Sequence, residues 1–145
     1  MHHAWITVVA TLIYLIICTG CATEETAPPP IPESPLSFRS SSHAARIVER
    51  QQEGRVSAPA EGASMQPLYA NNTYLVITPI AYSELQPGML IAYRNLSGRR
   101  VVHRLVEMED GYWTAQGINN EFEDADYVTP HNLIGVVYGS FVADR

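Results

Sequence analysis

Ser64 stands among small residues and ahead of a proline, in Gly62-Ala63-Ser64-Met65-Gln66-Pro67. A serine hydroxyl is a weak nucleophile, and it attacks a carbonyl only with a neighbouring base and with donors for the oxyanion. Gly62 and Ala63 leave the approach to Oγ open and let a substrate backbone lie close, while Pro67 fixes the chain leaving the turn. The chain has no lysine to serve as base, because all nine of its Lys+Arg residues are arginine. Arginine stays protonated in proteins. His103, in Val101-Val102-His103-Arg104-Leu105, is the candidate base, since an imidazole ordinarily titrates at about pH 6.5. Of the other histidines, His2 and His3 precede an apolar run and His43 follows a proline-rich stretch, which leaves His131, after Pro130, as the rival. A third candidate element is Gln116-Gly117-Ile118-Asn119-Asn120-Glu121-Phe122-Glu123-Asp124, where one carboxylate could orient His103 and stabilise its imidazolium. Each element has a plainer reading: a loop serine beside a buried Met65, a half-buried strand histidine, and an acidic turn.

The elements that must position these residues are strands. Residues 74–78, 89–93, 101–106, 112–115 and 133–142 are β-branched and aromatic. Asn71-Asn72, Gln86-Pro87-Gly88, Ser97-Gly98, Asp110-Gly111 and Thr129-Pro130 separate them as turns. Leu96-Ser97-Gly98-Arg99 reads as a hairpin turn. The fold class expected is mainly β, a small coiled antiparallel sheet or barrel-like domain. Strand alternation puts His103 and Leu105 on one side and Val102 and Arg104 on the other.

The N-terminal part has another character. Residues 4–18 are almost wholly apolar and are followed by Cys18-Thr19-Gly20-Cys21, so residues 1–21 read as a targeting segment. A small residue directly before a cysteine, after an apolar run, resembles the lipobox of bacterial lipoproteins, with Cys21 as the lipid attachment site. The alternative is an uncleaved anchor helix ending near Gly20. Either way residues 22–145 belong on the extracytoplasmic side of a membrane. Residues 22–43 are rich in Pro, Ser, Thr and Glu and read as an extended tether, and residues 43–54 as a polar stretch able to form a short helix with Ala44, Ile47 and Val48 on one face. Residues 22–55 are therefore taken as linker and residues 56–145 as the folded domain, about 90 residues and enough for an independent core. Both cysteines, Cys18 and Cys21, precede that domain, which excludes a disulfide or a cysteine metal site within it. Two histidines are too few for a three-histidine metal site, and no cofactor is expected. A net charge of −6 disfavours nucleic acid as a partner.

Across residues 56–142 these features resemble the signal peptidase I superfamily, in the branch with a histidine base found in the endoplasmic reticulum, in archaea and in some bacteria. That branch carries S-M-x-P at its serine, matched by Ser64-Met65-Gln66-Pro67, and His-Arg in an apolar strand, matched by His103-Arg104. Its late box, G-D-N-N-x-x-D-D, is met by Gly117-Ile118-Asn119-Asn120-Glu121-Phe122-Glu123-Asp124, and its last strand by Ile134-Gly135-Val136-Val137. The resemblance implies Ser64 as nucleophile, His103 as base and Asp124 as orienting acid, with Gly62, Ala63 and Ser64 at the oxyanion and substrate site. It implies a serine endopeptidase cutting exported proteins or signal peptides after small residues. Departures are Ile118 for the first Asp of the late box, Gly62 where many members have serine, and Asn71-Asn72 and Gly88-Met89 for Gly-Asp pairs. Ile118 and Gly62 favour a second expectation, a catalytically inactive lipoprotein module on the same fold, whereas the changed pairs bear on turns rather than chemistry. A LexA-like self-cleaving regulator in its usual form is excluded by the missing lysine and the export segment.

Overall fold

The computed structural model describes residues 34–51, 54–57 and 61–143. Residues 1–21, read from sequence as a targeting segment with Cys21, and most of the proline-rich stretch lie outside the described residues.

Among the described residues helix α1, Phe38–Gln51, precedes six strands: β1 Arg55–Val56, β2 Thr73–Thr78, β3 Leu90–Arg94, β4 Arg100–Glu109, β5 Tyr112–Gln116 and β6 Leu133–Val142. The strands form one sheet in the order β1-β2-β6-β3-β4-β5, and every neighbouring pair is antiparallel. No ladder joins β1 to β5 among the described residues, so the sheet is open in its hydrogen bonding. The mainly β class expected from the β-branched runs is what the chain adopts. Turn chemistry sets the hairpins: Gly98 donates to Asn95 O at 2.8 Å, Asn95 donates to Arg99 O at 3.0 Å, and β3 then pairs with β4 from Arg94↔Arg100 to Leu90↔Arg104.

Alternation divides the apolar residues between the two faces of the sheet. Ile91 and Tyr93 of β3 join Leu85, Leu105, Trp113, Ala115 and Val128 in one cluster. Ala92, between them, joins Met65, Tyr69, Leu75 and Ile77 in another. Met65 and Tyr69 are the feet of the turn that carries Ser64, so burying them fastens that turn to the sheet.

Helix α1 corrects the extent of the linker. The sequence reading keeps the chain extended to residue 43, but the helix starts at Phe38. Ser37 supplies the reason: its Oγ accepts the Ser40 N–H at 3.2 Å, a side-chain cap on the first turn. The expected face packs in part, with Val48 against the cluster of Ala45, Tyr74 and Val76. Ile47 is exposed, whereas Ser41 and Ala45 are fully buried. Small residues let the helix backbone approach the sheet, so that Ser41 Oγ donates to Val142 O at 2.7 Å and Ala45 meets Tyr74 and Val76. The Phe38 ring lies 5.0 Å from that of Tyr74. No helix among the described residues is long and apolar enough to cross a membrane.

Candidate active site

β4 changes partners half-way along, and the site sits at the change. Arg100 to Arg104 pair with β3, and pairing with β5 begins at Arg104↔Gln116. The first residues of β4 therefore have a strand on one side only. His103, opposite Ile91, is the last residue before β5 joins, and it is buried. Beyond Gln116 the chain leaves the sheet, turns through residues 117–123, and returns where Asp124 N–H donates to Ala115 O at 2.7 Å. That bond places the Asp124 carboxylate over the imidazole.

The three sequence-predicted residues meet. His103 Nδ1 lies 2.6 Å from Asp124 Oδ2, and His103 Nε2 lies 3.0 Å from Ser64 Oγ. An ionised carboxylate only accepts, so Nδ1 carries the hydrogen and Nε2 offers its lone pair to the serine O–H. This is the polarity a base needs to take the Ser64 proton. Asp124 is the carboxylate in register: Glu121 and Glu123 are exposed, and Asp126 accepts the Leu96 N–H at 3.0 Å instead. His131 is exposed and lines a separate hollow of about 590 Å³ with Arg94, Tyr112 and Tyr127.

Ser64 is held by the loop that carries Asp124. Asn119 N–H donates to Ser64 O at 2.8 Å, and Asn119 Nδ2 donates to Ala63 O at 3.2 Å. Gly117 makes this contact possible: a Cβ there would lie 2.7 Å from Ser64 O and 2.8 Å from the Asn120 side chain. On the near side of the serine, Gly62 has φ of 97°, a left-handed conformation that glycine adopts without strain. The peptide bond between Gln66 and Pro67 is cis. Ile118, at the first Asp position of the late box, is exposed.

Two residues not singled out by sequence reasoning complete the site. Tyr93, almost fully buried on β3, donates its hydroxyl to Asp124 Oδ2 at 2.6 Å, so one carboxylate oxygen receives both the phenol and the imidazole. Burial first, and then the adjacent carboxylate, push the Tyr93 phenol well above its ordinary range and keep it a donor. Only the register shows it: two residues along β3 from the partner of His103, Tyr93 shares its face. Asn119 was read only as part of a motif, and its bonds to Ala63 and Ser64 depend on loop closure that spacing does not reveal.

A groove of about 530 Å³ opens beside Ser64 and His103, lined by Gly62, Met65, Tyr69, Leu75 and the first half of β4. No cluster of three metal-ligating side chains occurs among the described residues. Neither the protein-family models nor the curated proteins include a match to this chain.

Proposed function

We propose that the chain is a membrane-tethered serine endopeptidase of the signal-peptidase type, cutting exported proteins after small residues. The observation that carries the proposal is the hydrogen-bonded line from Ser64 Oγ through His103 to Asp124 Oδ2, at 3.0 and 2.6 Å. In this reading His103 Nε2 takes the Ser64 proton as Oγ attacks the scissile carbonyl, and Asp124 stabilises the imidazolium. The tetrahedral oxyanion is met by backbone N–H groups at the serine turn, that of Ser64 among them. The imidazolium then protonates the leaving amine, and water activated by the same nitrogen hydrolyses the acyl-enzyme. The one-sided half of β4 supports a polypeptide substrate, since an extended chain can lie along an unpaired edge. The residue pattern that resembles signal peptidases supports the small-residue preference, and Cys21 or the apolar run supports attachment to a membrane with the domain on its extracytoplasmic side.

Gly62 favours a second reading, a binding module without turnover, because it offers no side-chain hydroxyl to the oxyanion. One experiment separates the two. The full-length chain in detergent is given peptides with alanine before the cut. Ser64→Ala and His103→Ala each abolish cleavage, about 10⁶-fold in turnover, with the melting temperature retained. Full activity in Ser64→Ala refutes the nucleophile. A wild type that binds such peptides tightly and cuts none is the binding module.

A further inference from the structure

The groove beside Ser64 has an unevenly charged lining. Glu61, three residues before the serine, lines it, as do Arg99 and Arg100 where β4 begins. The chain as a whole is acidic, with a net charge of −6, yet four of its nine Lys+Arg positions, Arg94, Arg99, Arg100 and Arg104, fall on the single β3–β4 hairpin. Arg94 is engaged, donating Nη1–H to Gly98 O at 3.1 Å. Arg104 lies beyond His103 and is not among the groove residues. Arg99 and Arg100 are exposed, and the ion pairs among the described residues, Arg46 with Glu49 and His103 with Asp124, include neither of them. Arg99 and Arg100 both line the groove, so both add positive potential to it, and each guanidinium presents a fork of donors matched to a carboxylate.

Position along the strand converts this charge into a subsite. Arg100 and Arg99 precede His103 by three and four residues, about 10–13 Å of extended chain. A polypeptide lying along the same half-strand covers that length in as many residues of its own. We infer that Arg99 and Arg100 form a subsite for an acidic side chain, so that the groove selects polypeptides with Asp or Glu three or four residues from the bond presented to Ser64. The inference rests on the peptidase reading for the bond it names. The charge preference itself is a property of binding.

The test uses the full-length Ser64→Ala chain and fluorescent alanine-rich peptides with Glu, Gln or Lys at the third and fourth positions on either side of a central Ala-Ala. Anisotropy is expected to show Glu binding about fivefold tighter than Gln, the upper range for an exposed ion pair, and Lys weaker than both. The preference should shrink between about 0.05 and about 0.5 M salt. It should vanish in Arg99→Gln/Arg100→Gln and reverse in Arg99→Glu/Arg100→Glu. With Ser64 restored, kcat/KM should follow the same order. Equal or undetectable binding of all three peptides overturns the inference, as does a Glu preference that survives Arg99→Gln/Arg100→Gln. Arginine-dependent binding to phosphatidylglycerol vesicles with no discrimination among peptides also overturns it, assigning the pair to a lipid surface. An intact Glu preference without any cleavage by the wild type upholds the subsite and sinks the peptidase reading.

Discussion

Gly117→Ala tests whether the loop after β5 positions the nucleophile. The added methyl would meet Ser64 O at 2.7 Å and the Asn120 side chain at 2.8 Å, where ordinary contact begins at 3.4 Å. Asn120 can rotate away; the Ser64 carbonyl is backbone and cannot. Loop and serine turn must therefore part by roughly 0.7 Å to reach ordinary contact, with an overpacking cost of about 1–3 kcal/mol. The same displacement stretches the 2.8 Å bond from Asn119 N–H to Ser64 O beyond hydrogen-bonding range. It also draws Ser64 Oγ out of line with His103 Nε2, and a misplacement on the order of 1 Å can cost about 10²-fold in rate. Three measurements follow: a thermal melt, cleavage of the small-residue peptide, and hydrogen exchange of the Asn119 amide, which needs no substrate. The expected result is a lower melting temperature, about 10²-fold slower cleavage and faster exchange at Asn119. Gly117 takes no left-handed conformation, so backbone strain does not confound the result. Unchanged stability with an equally protected Asn119 amide would refute the close contact and the positioning argument with it.

Asp124→Asn should slow cleavage by about 10⁴-fold without unfolding the chain, because an amide disturbs the imidazole tautomer that a carboxylate enforces; a fall of less than tenfold in kcat would remove Asp124 from the mechanism. Alkaline stability is a separate check. Burial raises Tyr69 to about 12 and lifts Tyr93 as well. Both folded-state values exceed that of a free phenol, so their stabilisation is complete below about pH 10 and is lost as pH rises through the folded values. The urea midpoint should fall steeply above about pH 10, and Tyr93→Phe should flatten that fall; equal slopes in the two proteins would contradict the burial argument.

The strands were legible because each is a β-branched run closed by turn residues, and 133–142 is read in sequence with the bounds it has in the fold. The meeting of Ser64, His103 and Asp124 was legible only through the order of the motifs, since nothing in their spacing states that a loop will close over β4. What stayed hidden depends on contacts between distant segments. Tyr93 looks like one more core aromatic until the β3–β4 register and the returning loop bring Asp124 to its hydroxyl. The first turn of helix α1 and its packed face are hard to read because Ser41 and Ala45 carry little hydrophobic signal. Their small size is what the packing uses, and a periodicity argument weights large side chains.

That helix also sets a leash. If the ordered part of the chain began at Val56, the backbone from Cys21 could extend about 120 Å before the sheet. With Phe38 already packed on the sheet, the backbone from Cys21 to the fold can span at most about 60 Å. Were Cys21 held at a bilayer, Phe38 would stay within roughly that distance of it, and the Ser64 groove within that distance plus the breadth of the domain. Its substrates would then be limited to chains presented within that reach, and the length of the helix would set its limit.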